Sequence, residues 1–260
     1  MVVNVGKRFL KVIIFIVIIS ISLYCEKKNN RNDVISKASE EYLSKVDGTK
    51  PGELDSLLIS GVASYGDGNK ALAIRYFEKA YELGDVRGAV KLYELYNTEK
   101  DMEKIKEWEV KAAEMGDAEV QNSLAIRLEN EKNYKAAENW YLKAIKNGSI
   151  YAKRNLGILY ENQGKIKEAE KAYLQAIKEN DEGSMNNLGG IYKEQGKYTE
   201  AEDLYLKAIT NGDKNALYNL GDLYDNYLNN KEKAIYWYKQ AEKNGIKEAK
   251  IKLKELKNVR

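Results

Sequence analysis

The sequence predicts an all-α protein: an α-solenoid, a right-handed superhelix of about six antiparallel helix hairpins with a 32-residue period and a C-terminal capping helix. Three observations predict it. A Lys/Gln-Ala step ends at Ala80, Ala112, Ala144, Ala176, Ala208 and Ala241, spaced by 32 residues four times and then by 33. Two further landmarks keep the same register: Gly84, Gly116, Gly148, Asn180, Gly212 and Gly245, then Leu92, Leu124, Leu156, Leu188, Leu220 and Leu253. A single Pro in 260 residues, among abundant Lys, Glu, Ala, Leu and Tyr, favours helices throughout. A period of roughly 20 to 50 residues marks supersecondary units that bury their apolar faces against one another.

Residues 1–24 read as a signal peptide. Lys7, Arg8 and Lys11 precede an apolar run from Val12 to Leu23 that only Ser20 and Ser22 interrupt. A bilayer span needs about 20 apolar residues, so this run is too short to cross and fits the apolar centre of an export signal. Cys25, the only Cys, follows, and then the polar stretch from Glu26 to Asp33. This layout resembles a bacterial lipoprotein signal, which implies that Cys25 becomes the lipidated first residue of the mature chain. That family prefers a branched aliphatic residue three before the Cys and a small one just before it, where this chain has Ser22 and Tyr24. Lipidation at Cys25, cleavage after a small residue such as Ser22, and retention as an uncleaved anchor stay open. The expected location is the bacterial cell envelope, as a membrane-anchored lipoprotein or else as a secreted or periplasmic protein. Residues 25–50 are expected to be the lipidated Cys and a flexible tether, with the repeat domain at 51–260.

Within the repeat domain, Leu58 to Tyr65 has Gly61 in register with Gly157 and is expected to form the first helix of unit one. Units two to six begin near Asp85, Asp117, Ser149, Asp181 and Asp213, all suitable helix N-caps. Leu188 to Gly212 is the clearest unit. Leu188, Gly189 and Tyr192 precede a turn at Gly196-Lys197, and Tyr198, Ala201, Tyr205 and Ala208 follow it, so two amphipathic helices flank the turn. Gly164 and Gly196 are expected to supply positive φ within hairpins, and the Gly series from Gly84 to Gly245 to end the second helices. Asn180 fits the same role, because Asn tolerates the left-handed region best among non-Gly residues. Gly61, Gly157, Gly189 and Gly221 fall inside first helices, where Gly costs about 1 kcal/mol relative to Ala. Close helix approach is expected to offset that, with Ala73, Ala137, Ala169, Ala201 and Ala234 as the facing residues. Ile246 to Leu256, with Ala249, Leu253 and Leu256 on one stripe, reads as the terminal cap.

Ala137, Trp140-Tyr141, Lys143-Ala144, Gly148, Ala152, Leu156-Gly157 and Tyr160 resemble a Sel1-like repeat. Leu188-Gly189, Tyr192, Gly196, Tyr198, Ala201, Tyr205 and Ala208 are similar to a tetratricopeptide repeat. Both resemblances imply helix hairpins across about residues 53 to 257. The 32-residue unit is shorter than the tetratricopeptide unit of 34, lacks its junction Pro, and has a tighter internal turn than Sel1-like repeats usually carry.

Composition narrows the function. The net charge of +3 is matched by Lys7, Arg8 and Lys11, so the rest of the chain is balanced and offers no reason to expect nucleic acid. With no His, the usual general base and commonest metal ligand are missing, and one Cys forms neither an intrachain disulfide nor a thiolate cluster. No catalytic residue, metal or cofactor is expected. Asn155, Asn187 and Asn219 recur directly before Leu-Gly, and in tetratricopeptide arrays an Asn at this place can face the concave groove. They form either an amide ladder for an extended peptide or braces to the neighbouring helix. The register-holding Tyr residues are expected in the core, whereas Tyr218 is a candidate for ligand contact. The reading is a non-enzymatic scaffold that binds a protein or extended peptide along the concave face and meets the membrane through its lipid. Alternatives are a structural or assembly role in envelope complexes, and a carboxylate-dependent enzyme acting on glycans.

Overall fold

The computed structural model describes residues 37–258, and among them every regular element is helical. Cys25 and the expected signal segment lie outside the described residues. The chain divides into two compact units, with the boundary between Trp108 and Glu109.

The N-terminal unit holds α1 (37–45), α2 (Glu53–Gly66), α3 (Lys70–Glu82), α4 (Val86–Glu99) and the first part of α5 (Met102–Glu114). The folded array begins before residue 51, and α1 lies inside the stretch expected as tether. The reason is burial: Ser39, Leu43 and Val46 are all enclosed, and each apolar side chain contributes about 1.5–3 kcal/mol. Tyr42 meets the ring of Tyr76 at 6.4 Å, and Glu40 pairs with Arg75. Gly52 stands 32 residues before Gly84 with the same positive φ, so α1 takes the sequence place of a second helix.

Packing in this unit is tight where small residues meet rings or backbone. A Cβ at Gly61 would lie 2.3 Å from the Phe77 ring, and one at Gly88 only 2.5 Å from the Phe77 carbonyl oxygen and the Tyr81 nitrogen. The α3 and α4 backbones touch there. Asp85 caps α4 by accepting from the Arg87 N–H, and the Arg87 guanidinium also reaches Asp55 at 2.6 Å. Tyr81 packs edge-on to buried Trp108, their ring centres 5.2 Å apart.

The C-terminal unit runs from Glu109 through α6 (Ala118–Asn130), α7 (Tyr134–Lys146), α8 (Ala152–Asn162), α9 (Ile166–Ile177), α10 (Glu182–Glu194), α11 (Tyr198–Thr210), α12 (Asn215–Asp222), α13 (Lys231–Lys243) and α14 (Lys247–Asn258). A π-helical turn, Leu223–Tyr227, continues α12. It lies where the period lengthens to 33, so the extra residue widens the helix instead of lengthening the loop. Second helices end at left-handed residues as expected: Gly116, Gly148, Asn180, Gly212 and Gly245. Within hairpins the left-handed residues are Gly164 and Gly196, joined by Lys132 and Asn229 at the same register. Asp117 and Asp181 cap α6 and α10, accepting from Val120 and Ser184.

Two expected caps differ. Ser149 is buried with its hydroxyl unpartnered, and α8 instead starts after Tyr151 without a side-chain cap. Asp213 sits one residue early and accepts from the Asn215 N–H, leaving Lys214 at the cap position.

The partners of the first-helix glycines also differ from expectation. A Cβ at Gly157 would meet the Tyr173 ring at 2.4 Å, one at Gly189 the Tyr205 ring at 2.8 Å, and one at Gly221 the Tyr238 ring at 2.7 Å. An aromatic ring, not an Ala methyl, fills the space that each glycine leaves. The alanines one turn earlier, Ala169, Ala201 and Ala234, are fully buried and let the helices approach. Tyr141 holds the corresponding position opposite Ala125, and these rings form the layer between first and second helices. Glu109 occupies that register position at the start of the unit. It is 3% exposed and pairs with Arg127 of α6 at 2.6 Å. Burial works against the Arg127 charge, yet the bonds to Glu109 and Glu131 hold its pKa above the ordinary value. At the far end Ala249 and Leu253 of α14 close the core as the cap predicted.

Candidate functional site on the first helices

The first helices of the C-terminal unit, α6, α8, α10 and α12, carry the predicted ligand residues. Asn155, Asn187 and Asn219 each precede the Leu-Gly pair that turns into the core, so helical geometry leaves their side chains half-buried at its margin. Their carboxamides reach the preceding hairpin or the ring layer. Asn155 Nδ2 donates to Asn122 Oδ1 at 2.9 Å, and Asn219 Nδ2 donates to Asn186 Oδ1 at 2.8 Å. Asn187 donates instead to the Tyr173 hydroxyl at 3.4 Å, because Arg154 occupies the place of Asn122 and Asn186. Arg154 pairs with Asp181 at 3.1 Å and lies over Gly183, where a Cβ would be 2.4 Å from its Nη1.

These contacts make rungs between successive repeats. An amide offers two donors and a carbonyl acceptor, and each rung uses one donor. Two of the three Asn residues therefore brace neighbouring helices, as one of the two sequence readings holds, and their remaining polar atoms are compatible with the other. Tyr218 is half-buried, its ring centre 5.4 Å from that of Tyr238; it lines the inter-helix packing as well as the margin. Burial holds its hydroxyl pKa above the ordinary range.

Two further sets of rungs were not singled out from sequence. Lys193 pairs with Asp222 at 2.8 Å, and Tyr227, on the π-turn, reaches back to Glu194 at 3.2 Å and lies under the Lys193 ammonium. Burial disfavours the Lys193 charge, but Asp222 outweighs it and keeps the pKa raised. The second set links a first helix, or the π-turn that continues it, to the second helix before it at three places: Tyr160 to Glu138 and Tyr192 to Glu170, both at 2.8 Å, and Tyr224 to Glu202. Burial, then the Glu partner, pushes the Tyr160 and Tyr192 hydroxyls up to about 12. The signal was present in the sequence, as a Glu exactly 22 residues before each Tyr.

The face changes character along the unit. Ile126 and Tyr151 are exposed at its α6 and α8 end, Gly183 and Gly190 leave the middle low, and Asp222 and Asp225 lie at the α12 end. No group of three or more His, Cys, Asp or Glu that could hold a metal occurs among the described residues, and none of their helices is long and apolar enough to cross a membrane.

Comparison with known proteins agrees with this architecture. The tetratricopeptide repeat family matches residues 154–216, and the Sel1 repeat family matches residues 61–85, 131–149 and 214–246. Those stretches thus carry tetratricopeptide and Sel1 repeats. Among solved structures it is similar to a Sel1 repeat protein from Oxalobacter formigenes, at 22% identity and a TM-score of 0.58 over 75% of this chain and 91% of that one. It is also similar to pilF of Pseudomonas aeruginosa, at 17% identity and a TM-score of 0.60 over 80% and 97% of the two chains. A third similar structure is PilW, a widely conserved type IV pilus biogenesis factor, at 16% identity and a TM-score of 0.53 over 74% and 93%. At these identities the likeness is one of fold. No curated protein matches the chain.

Proposed function

We propose that this array of Sel1 and tetratricopeptide repeats is a non-catalytic scaffold of the bacterial cell envelope, holding an extended peptide or protein segment along its first helices. The observation that carries the reading is the series of half-buried carboxamides at one register of α8, α10 and α12, fixed in direction by inter-repeat bonds at Asn155 and Asn219. A fixed amide loses little rotamer freedom on binding, so each bond it adds to a ligand backbone contributes more of its net 0.5–1.5 kcal/mol, roughly. Proteins built of these repeats typically serve as interaction scaffolds and bind proteins or peptides, which supports the same class of partner.

The proposal includes export through residues 1–24 and lipidation of Cys25, the acyl chains adding about 0.8 kcal/mol of membrane affinity per buried CH₂. Cross-linking in cells, followed by capture and mass spectrometry, identifies the partner. Against that partner, Asn155→Ala is expected to weaken binding about 2- to 10-fold and the triple variant with Asn187→Ala and Asn219→Ala by about 100-fold. Unchanged affinity in a folded triple variant contradicts the binding role. Cys25→Ala is expected to move the protein from the membrane fraction to the soluble one, and its retention in the membrane contradicts the lipid anchor.

A further inference from the structure

First helices of the C-terminal unit engage one another by a recurring rule: a residue meets the one 33 positions later, on the next first helix or its π-turn. Asn122 with Asn155 and Asn186 with Asn219 obey it, as do Glu129 with Asn162 at 3.5 Å and Glu194 with Tyr227 at 3.2 Å. In the Asn rungs the forward half stands two residues before the landmark Leu, and the receiving half two residues before the first-helix Gly. Both halves recur on α14 and α2, the outermost first helices among the described residues. Ile251, two before Leu253, is the forward half on α14, and Ile59, two before Gly61, is the receiving half on α2. Neither is covered: Ile251 is 59% and Ile59 69% exposed.

On α2 the exposure extends beyond one side chain. Ser56, Val62 and Ala63 are exposed as well. At the registers of Ser56 and Ala63, later first helices place Ala152 and Ala216, and Leu159 and Leu223, all fully buried. Ala152 and Leu159 pack there against Ala125 of α6 and Tyr141 of α7, the preceding hairpin, so α2 shows the face that a preceding first helix covers elsewhere. Residues 26–36 hold only Val34 and Ile35 as apolar side chains, too few to bury that face. The two helices also differ in charge. Residues 47–69 hold Asp47, Glu53, Asp55 and Asp67 against Lys50, with Arg87 of α4 beside Asp55, whereas α14 holds five Lys and two Glu. One turn before the two Ile residues stand Lys247 and Asp55, and three residues after them Lys254 and Val62, all four exposed.

We propose that the exposed face of α2 takes α14 of a second copy of this chain, set where a preceding first helix packs inside the array. The rule that joins Asn122 to Asn155 then sets Ile251 of one copy on Ile59 of the next, Lys247 against Asp55, and the apolar stem of Lys254 over Val62. Apolar contact at the centre and opposite charges beside it favour this pairing over α2 with α2 or α14 with α14, which set like charges together. The contact is heterologous, so it adds copies in a row and does not close into pairs. One helix edge on another is a small interface and a weak one, so covalent trapping is the suitable readout. The contact does not involve Asn155, Asn187 or Asn219.

The test uses the whole chain in cells, as two differently tagged copies, Ile59→Cys in one and Ile251→Cys in the other, treated with a short bis-maleimide. Both positions are exposed, so neither substitution empties the core. The co-expressed variants are expected to join into a mixed dimer and to stop there, and the double variant to form a ladder of dimers, trimers and longer species. Each single variant alone is expected to give no more cross-linking than the parent, which sets the background from Cys25. Asp55→Lys should lower the mixed-dimer yield about five-fold, and Lys247→Glu in the other copy should restore it. Background-level cross-linking of the co-expressed pair overturns the proposal. Equal cross-linking of either single variant with itself overturns it as well, since that is a two-fold contact, and so does an unchanged yield in Asp55→Lys.

Discussion

The first-helix and second-helix sides of the C-terminal unit are written by the same 32-residue period yet end in different states. On the first helices, polar groups from successive hairpins engage one another, as in Asn122 with Asn155, Asn186 with Asn219 and Lys193 with Asp222. On the second helices, the Trp140 ring carries the Lys143 ammonium of its own helix, where Tyr81 packs on Trp108 in the N-terminal unit. A repeat thus preserves its scaffold through shared positions and changes its chemistry at the unshared ones. The ring layer of Tyr141, Tyr173, Tyr205 and Tyr238 joins the two sides, and perturbing it should disturb both.

The largest effect is expected at Glu109, where an ion pair replaces a ring in that layer. Glu109→Ala leaves Arg127 without its buried partner. Because Arg127 retains access to water and to Glu131, the loss should be about 2–3 kcal/mol, below the range for fully buried pairs. Urea denaturation measures it, and a loss under about 0.5 kcal/mol would mean that the pair does not join the sides. Next is Gly157→Ala: a methyl 2.4 Å from the Tyr173 ring forces repacking worth about 1–3 kcal/mol, against a gain of about 1 from helix propensity. A net stabilisation would show that the ring moves aside without strain.

Alkaline pH probes the Tyr–Glu bonds between helices. Tyr160 and Tyr192 ionise near 10 when unfolded and are pushed up to about 12 in the fold, first by burial and then by Glu138 and Glu170. The sign follows from linkage. Their stabilising contribution is complete below about pH 10 and disappears as pH rises through about 12, since only the protonated hydroxyl donates. Denaturation midpoints should fall across that window, and Tyr160→Phe with Tyr192→Phe should flatten the fall while costing about 1 kcal/mol each at neutral pH. The smallest expected effect is a gain. Lys132 holds a positive φ where Gly164 and Gly196 stand in later hairpins, so Lys132→Gly should stabilise by about 0.5–1 kcal/mol, visible as a raised Tm.

Much of the fold is legible in the sequence because its signals repeat. Asn180 in a column of glycines is readable as a left-handed residue, and φ is indeed positive there. The ring partners of Gly157 and Gly189 were not readable, because Ala169 and Tyr173 lie one turn apart on the same helix face and periodicity does not say which one fills the gap. The register of Asn155, Asn187 and Asn219 is plain. Their partners are not, since Asn122 and Asn186 lie 33 residues before Asn155 and Asn219, one step off the 32-residue period, and Asn187 bonds Tyr173 instead. Helix α1 was hidden for another reason: its described part, 37–45, buries Ser39 and Leu43, with Val46 just after it, too few apolar positions to show an amphipathic pattern. Gly52, 32 residues before Gly84, was its one periodic trace.

The most direct test of the binding claim is site-specific photo-cross-linking in cells, with a photoreactive residue placed at Ile126 on a first helix or at Leu174 on a second helix. Both side chains are similarly exposed, 40% and 42%, so access alone does not favour either. Discrete protein adducts from position 126, absent from position 174 and lost in the triple Asn variant, are the predicted result. Adducts from position 174 with none from 126 would contradict a ligand held along the first helices.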